Sequence, residues 1–152
     1  NLDFYKRLVA YAEKYNIKIA IENIGGCITE TPKGLLELVN ALDNDVFTVC
    51  YDVGHANICG QEPAEMIIKL GNNIGCTHIH DNDGVTDLHT APYTGKLDWN
   101  SFCEGLKEIN YNGDLSFETF GQVYNNRVPT KLLESWLKLI AECGKYFKSQ
   151  IN

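Results

Sequence analysis

The chain has 152 residues, of which 44% are hydrophobic, and a net charge of −7. This size and composition are typical of one globular domain with a sizeable core, so we predict a single domain over residues 1–152. The 13 basic residues form no cluster, and the electrostatic footprint expected of a nucleic-acid-binding protein is therefore missing. No apolar run approaches the roughly 18 residues that a membrane span needs, and no export signal is visible, so we expect no membrane partner and a cytoplasmic location.

The predicted elements alternate along the chain. An amphipathic helix over residues 1–15 comes first, and helical patterns recur at 32–42, about 63–70, 99–109 and about 131–147. Four apolar stretches typical of buried strands lie at 18–23, 47–52, 76–81 and 114–119. Thr31 and Asp98 are placed to cap the helices that follow them. A strand and a helix every 30 residues or so indicate consecutive βαβ units and hence a parallel sheet.

The fold class that this alternation predicts is α/β. Polar residues follow each strand, and parallel α/β folds place their chemistry at the carboxyl ends of the strands. A barrel, unlike a doubly wound sheet, curves those ends around one centre, where side chains from four strands can meet. A complete (β/α)₈ TIM barrel takes about 250 residues, so four βα units predict the C-terminal half of such a barrel. The missing N-terminal half, or a second copy in a homo-oligomer, is expected to cover the open edges.

Acidic residues and histidines close the predicted strands. Glu22 ends the first strand and Glu118 the last, while Asp52 ends the second and is followed by Gly54 and His55. A carboxylate and an imidazole separated by a glycine turn can face the same cavity. Each also has a structural alternative: Glu22 as a cap, Asp52 as the cap of the next helix, and His55 as a ring held by the backbone.

The third strand carries two histidines, His78 and His80. Side chains alternate along a strand, so both rings point to the same side, which in a barrel is the interior. We expect His80, nearer the carboxyl end, to be a metal ligand and His78, one layer deeper, to be a core residue or a partner of a ligand. The same alternation turns Asp81 away and predicts a surface or helix-packing carboxylate.

Two glutamates, one aspartate and one histidine on one rim are ligands that suit a divalent cation. We therefore predict a metal site of Glu22, Asp52, His80 and Glu118 for manganese, magnesium, cobalt or zinc. The six cysteines have no paired spacing and are interpreted as reduced core or surface residues, so a thiolate zinc site is not expected.

A long loop follows the third strand, from Asp83 to Trp99. Loops of this length in compact domains are commonly functional. This loop carries Asp87 and His89 in a D-x-H spacing. The pair would bind substrate, complete a second metal site or stabilise the loop itself, and the spacing is equally compatible with all three.

Together the motifs IAIEN, CYDVGHAN, HIHDNDG, DLH, GKLDW and LSFET resemble the xylose isomerase-like TIM-barrel family, which includes sugar phosphate isomerases and epimerases and the type-IV apurinic endonucleases. The resemblance extends over nearly the whole chain. The resemblance to the isomerases and epimerases implies one divalent metal held by residues that match Glu22, Asp52, His80 and Glu118. It also implies that His55 contacts the substrate.

The function that this resemblance implies is a metal-dependent isomerase or epimerase, which acts on a small sugar or sugar phosphate by proton transfer beside a carbonyl. In the family's ketose 3-epimerases the two metal-bound glutamates also exchange the proton, a catalytic role that Glu22 and Glu118 would inherit. Those epimerases carry an arginine six residues after the metal histidine and a second glutamate six residues after the first, where this chain has Thr86 and Ile28.

Two alternatives stay open. Asp87 and His89 resemble ligands of the endonucleases' multi-metal site, which indicates a phosphodiesterase, although a similar segment occurs in sugar isomerases of the family. A half-barrel can also keep its ligands without the walls of a pocket, and it would then be inactive until a partner half is supplied.

Overall fold

The computed structural model describes residues 2–121 and 128–151. Its strands are β1 (Ile19–Glu22), β2 (Phe47–Asp52), β3 (Ile74–Ile79) and β4 (Leu115–Phe117). The α-helices are α1 (Leu2–Lys6), α2 (Val9–Tyr15), α3 (Pro32–Leu42), α4 (Val53–Ile58), α5 (Pro63–Leu70), α6 (Trp99–Glu108) and α7 (Leu133–Ile151). Short 3₁₀ turns lie at Ile28–Glu30, Gly71–Asn73 and Thr130–Leu132.

The local sequence explains where helices begin. The Thr31 side chain accepts a hydrogen bond from the Gly34 N–H at 3.2 Å, ahead of α3. Asp98 accepts hydrogen bonds from the N–H groups of Asn100 and Ser101, each at 3.0 Å, ahead of α6. Both predicted caps are confirmed, and each satisfies N–H groups that the first turn of a helix leaves unpaired.

Helices at the two ends of the chain differ from the prediction. The predicted first helix is split into α1 and α2 by a turn in which the Leu8 N–H bonds to the Tyr5 carbonyl at 2.9 Å, three residues back instead of four. The last helix, α7, begins only after the turn at Thr130–Leu132, and it continues to Ile151.

The four strands form one parallel sheet in the order β1-β2-β3-β4, which confirms the predicted α/β class. The register between β2 and β3 shifts by one residue just before the Cys50–Cys76 pair, so Gly75 is left over as a β-bulge. Beyond the bulge, Asp52 is paired with His78. The bulge therefore decides which residues of β3 stand level with the end of β2.

The helices cover one face of the sheet. Tyr51 on β2 stacks against Phe102 of α6 with 6.5 Å between ring centroids, and both side chains are fully buried. Ile67 of α5 and Leu106 of α6 are equally inaccessible. Burying each large apolar side chain contributes about 1.5–3 kcal/mol, so this layer fixes the sheet against its helices.

The opposite face of the sheet is open. Ala20 on β1, Gly75 on β3 and Ser116 on β4 are exposed. In a closed barrel this face would line the interior. Among residues 2–121 and 128–151, no helix combines the length and the apolar character needed to cross a bilayer.

Candidate metal centre

Side chains at the carboxyl ends of the strands converge on one group. Glu22 ends β1, Asp52 ends β2, His78 lies in β3 and Glu118 follows β4. Each offers a ligand atom, and these four atoms lie within 4.8 Å of one another. One cation between them could contact all four at ordinary metal–ligand distances of about 2.0–2.6 Å.

His78 lies between the two glutamates of this group. Its Nδ1 atom is hydrogen-bonded to Glu22 Oε1 at 3.0 Å and lies 3.3 Å from Glu118 Oε1. The sequence placed His78 one layer deeper and expected His80 in this position, whereas the structure groups His78 with the three carboxylates. The start of β3 is the reason: the strand begins at Ile74, two residues earlier than predicted, and its register pairs His78 instead of His80 with Asp52.

His80 lies beside the group. Its ring is fully buried and its Nε2 atom is 3.1 Å from Asp52 Oδ1, yet within the described chain neither ring nitrogen has a partner in hydrogen-bonding geometry. Gly54 makes space for the ring, since a Cβ there would overlap it. The nearby Asp52 carboxylate offsets part of the cost of burying this imidazole, and a further group bound to a ring nitrogen would offset more.

Asp52 is the most enclosed carboxylate of the group. It is inaccessible to solvent, and its Oδ1 accepts the His55 N–H at 2.7 Å, at the start of α4. Oδ2 is buried without a hydrogen bond from any described residue. Capping a helix and binding a metal are therefore compatible roles: one oxygen caps α4, and the other is left for a cation. The donor set and this unpaired oxygen fit a divalent metal ion.

Asp52 and His80 shift each other's pKa. Burial by itself raises the pKa of Asp52, but the His80 ring and the His55 N–H outweigh burial, and the pKa lies below its ordinary value. Burial lowers the pKa of His80, but Asp52 and then Asp87 outweigh burial, and the pKa lies above its ordinary value. The pair thus keeps Asp52 ionised, which is the form that binds a cation.

Asn23, which sequence reasoning missed, ties the ends of β1 and β2 together. Its buried side chain donates to the Asp52 carbonyl and accepts from the Asp52 N–H, both at 2.8 Å. The His55 Nδ1 donates to the Asn23 carbonyl at 3.0 Å, which places the ring proton on Nδ1 and turns Nε2 toward the site. The sequence feature that could have identified Asn23 is its position as a polar residue directly after an apolar strand, in IAIEN.

A second group lies beside the first and consists of His55, His80, Asp87 and His89, whose ligand atoms are also within 4.8 Å of one another. Asp87 is at its centre. Its Oδ2 is 3.2 Å from His89 Nε2 and 3.5 Å from His55 Nε2, and its Oδ1 is 3.8 Å from His80 Nε2. The long loop therefore brings both residues of its D-x-H pair against His55 of α4 and His80, which directly follows β3.

His89 has a hydrogen-bond acceptor at each ring nitrogen. Nδ1 donates to the Glu118 carbonyl at 3.0 Å, and Nε2 faces Asp87 Oδ2. A neutral imidazole donates from one nitrogen only, so a cation between Nε2 and Asp87 would complete this contact. The ring stacks between His80 and Phe120, at centroid distances of 3.9 and 4.3 Å.

The sequence predicted Asp81 to be a surface or helix-packing carboxylate; the structure excludes the surface position and places Asp81 against Trp99, the first residue of α6. Asp81 is inaccessible to solvent and accepts hydrogen bonds from four donors, on Asn82, Gly95, Leu97 and Trp99. The long loop folds back over this carboxylate and buries it. The alternation of side chains along a strand predicts only which face of the sheet each residue lies on. It could not predict that a distant loop covers Asp81.

Comparison with known proteins agrees with this architecture. A sequence model described as a xylose isomerase-like TIM barrel matches residues 2–142. An uncharacterized protein of Methanocaldococcus jannaschii is 36% identical over 149 residues, which cover 93% of this chain and 50% of that protein. The inosose isomerase of Bacillus subtilis is 26% identical over 97% of this chain and 56% of that enzyme.

Among solved structures, a D-tagatose 3-epimerase-like protein superposes with a TM-score of 0.71 at 34% identity, covering 93% of this chain and 55% of that one. The chain thus spans about half the length of the relatives it matches, which confirms the predicted half of a barrel. Because the family match extends over residues 2–142, the chain belongs to the xylose isomerase-like TIM barrel family.

Proposed function

We propose that this chain carries the metal-binding half of an isomerase or epimerase that acts on a small sugar, polyol or sugar phosphate by moving a proton beside a carbonyl. The observation that supports this most is the group of Glu22, Asp52 and Glu118 with a histidine at the strand ends, in which Asp52 has a buried, unpaired oxygen. Relatives named inosose isomerase, D-psicose 3-epimerase and L-ribulose 3-epimerase support a small sugar or polyol as the substrate.

The cation, manganese, magnesium, cobalt or zinc, is held by Glu22, Asp52 and Glu118, with His80 as the fourth ligand. We choose His80 over His78 because neither ring nitrogen of His80 is hydrogen-bonded to the described residues, whereas His78 Nδ1 is already bonded to Glu22. His78 then orients Glu22 through that bond. A cation bound here supplies positive charge that stabilises an enediolate.

Glu22 and Glu118 move the proton. They reach the site from the two outer strands, with His78 between their Oε1 atoms at 3.0 and 3.3 Å. One glutamate, ionised, takes the C–H proton next to the carbonyl, and the electron pair passes to the carbonyl oxygen to form the enediolate. The other glutamate, protonated, then delivers its proton to the opposite face of the carbon, which inverts it. Delivery to the neighbouring carbon instead moves the carbonyl, and the hydroxyl proton of the first carbon then passes to the former carbonyl oxygen.

His55, Asp87 and His89 are the proposed substrate contacts. Nε2 of His55 points into the site because its Nδ1 is held by Asn23, and imidazole and carboxylate groups are suited to bind sugar hydroxyls. The specificity is expected to differ from that of the ketose 3-epimerases, since Thr86 provides none of their arginine's charge.

The test of this function is solvent-proton exchange. Purified protein with Mn²⁺ or Co²⁺ is incubated in D₂O with a panel of ketoses, aldoses and inososes. At least one sugar should be interconverted with deuterium entering the product, and Glu118→Gln should lower the rate by about 100-fold or more. Glu13→Gln, at an exposed position of α2, is the matched control. Unchanged turnover in Glu118→Gln, or a product without deuterium, would refute the role of Glu118.

The choice of histidine has its own test. Titration calorimetry with Mn²⁺ should show that His80→Ala weakens binding more than His78→Ala, since removing a ligand typically costs more than removing its orienting partner. Equal affinity of the wild type and His80→Ala would reject His80 as a ligand.

A second candidate function is a phosphodiesterase of the endonuclease type. The observation that favours it is the second group, in which Asp87 and three histidines stand close enough to hold a further cation. The net charge of −7 disfavours a nucleic-acid substrate. Metal analysis separates the candidates: one metal ion per chain, with no cleavage of an oligonucleotide that contains an abasic site, would discard the phosphodiesterase.

A further inference from the structure

We propose that Asp81 is the positioning residue of the site: it holds the loop of residues 83–98 over the strand ends, so that Asp87 and His89 face the site histidines. This inference concerns the same site as the proposed function but does not depend on which reaction the site performs.

Both oxygens of the buried Asp81 carboxylate are fully hydrogen-bonded. It is inaccessible to solvent, and each of its oxygens accepts two N–H groups. Oδ1 accepts from the backbone of Asn82 at 2.8 Å and of Leu97 at 3.2 Å. Oδ2 accepts from the Gly95 backbone at 3.0 Å and from Trp99 Nε1 at 3.1 Å. The donors come from both ends of the loop, so one side chain fastens its start to its finish.

The middle of the loop is fastened to the same residue through the backbone. Asp81 and Thr90 exchange two N–H···O bonds of 2.9 and 3.0 Å, and the Thr90 hydroxyl donates to the Asp81 carbonyl at 3.0 Å. Thr90 directly follows His89 in the chain. Fixing Thr90 therefore restricts where the His89 ring can lie.

The end of the loop lies close against Asp81. A Cβ on Gly95 would overlap both the Asp81 carboxylate and the Asn82 carbonyl, so only glycine allows this approach. The Lys96 N–H adds a bond of 2.8 Å to the Asn82 carbonyl. At the tip of the loop the Val85 side chain is 78% exposed, and the N–H groups of residues 84–86 bond to Asn82 and Asp83 at the start of the loop. The ordered ends thus carry the tip and its Asp87.

Asparagine at position 81 tests this arrangement with almost no change in shape. Each Asp81 oxygen faces two donors. In either orientation, the NH₂ group of an asparagine at this position would therefore oppose two N–H groups, and two of the four bonds would be lost. The matched control is Asp83→Asn in the same loop. Asp83 accepts from the Val85 and Thr86 N–H groups through Oδ1 alone, so an asparagine can keep both bonds.

Two measurements on the metal-free protein decide the matter. In Asp81→Asn, amide hydrogen exchange over residues 84–97 should become faster by about tenfold or more, as expected for the loss of buried hydrogen bonds. The imidazole ¹⁵N signals of His55, His80 and His89 should shift, because all three rings lose their fixed contact with Asp87. The His78 signals should stay in place. Loss of packing alone would not select these three rings.

Unchanged exchange and unchanged His89 signals in Asp81→Asn would overturn the proposal, and so would an equal effect of Asp83→Asn. If Asp81→Asn does not fold, Trp99→Phe removes only one of the four donors and should accelerate loop exchange by about threefold, with Trp136→Phe as its control. No effect of Trp99→Phe on the loop or on His89 would then reject the proposal. Neither readout requires a substrate, so a failed activity assay leaves this test intact.

Discussion

Two residues of the candidate metal centre have buried polar atoms without a hydrogen bond from the described residues. Asp52 caps a helix with one oxygen and leaves the other buried, and His80 is enclosed with no hydrogen bond from the described residues. Glu22 and Glu118 add two further carboxylates around His78. Several negative groups in one small space repel each other, and a cation would offset both this repulsion and the cost of burial.

Metal should therefore stabilise the fold. A ligand present at 100 times its Kd adds about 2.7 kcal/mol to the free energy of unfolding, so Mn²⁺ or Zn²⁺ should raise the Tm of the wild type, and EDTA should reverse the change. Glu118→Gln should lose most of this rise. Scanning calorimetry measures both, and a wild-type Tm that does not respond to any of the four metals would contradict the metal site.

Asn23→Ala should destabilise the protein. The change leaves the buried N–H and carbonyl of Asp52 without their partner, at a cost of about 2 kcal/mol or more. Urea unfolding followed by circular dichroism measures the difference, with the exposed Asn112→Ala as a control. Equal midpoints for the two variants would show that Asn23 does not join the strand ends.

Thiol reactivity should follow burial. Burial, followed by the nearby Glu104, raises the pKa of Cys103 to about 11, so at pH 8 only about 0.1% of this thiol is thiolate. Cys27 is exposed. Iodoacetamide at pH 8 should modify Cys27 first, and raising the pH toward 10 should accelerate the reaction of Cys103. Peptide mass spectrometry gives the order, and early modification of Cys103 in folded protein would contradict it.

Among the elements, hydrophobic periodicity located the strands, and capping residues located the starts of α3 and α6. The second strand coincides with its prediction at 47–52. The third lies at Ile74–Ile79, two residues earlier than predicted, because its polar end was read as strand. The bulge at Gly75 depends on pairing with β2, and the burial of Asp81 depends on a distant loop. Such non-local contacts leave no periodic signal in the sequence.

The contact between α5 and α6 should be sensitive to a single methyl group. Alanine normally stabilises a helix interior by about 1 kcal/mol over glycine, but a Cβ on Gly105 would lie 2.8 Å from the backbone Cα of Ala64. We expect Gly105→Ala to destabilise the protein by about 1–3 kcal/mol. Gly144→Ala in α7 is the control, because its nearest contact, at 3.1 Å, is the Phe117 ring, a side chain that can move. Greater stability of Gly105→Ala in urea unfolding would disprove tight packing here.

For the whole molecule, four parallel strands leave two sheet edges and the inner face without a partner among the described residues. The three carboxylates of the candidate metal centre lie at or directly after strand ends, so the sequence could indicate them by position. The described residues leave the inner face of the sheet open, so they do not identify the sugar. The single domain over residues 1–152 and the cytoplasmic location stay predictions.

The chain should therefore dimerise to a greater extent at higher protein concentration. We predict that the purified chain forms dimers through the open face, because exposed sheet edges and an unfilled interior favour pairing with a second half. Sedimentation velocity should show the average mass rising with concentration. Ala20→Lys on the inner face should reduce this rise, whereas Ser149→Lys on the exposed surface of α7 should not. A single monomeric species at every concentration would contradict the prediction.

The bulge at Gly75 has a consequence for the ancestry of such a site. Successive residues of a strand face opposite sides, so one residue added between the bulge and Thr77 would exchange the imidazole of His78 for the hydroxyl of Thr77 at the level of Asp52. The site could thus lose or regain a histidine through insertion or deletion of a single codon, with every ligand codon unchanged. Descendants of this chain can differ in metal chemistry while every one of its histidines is still encoded.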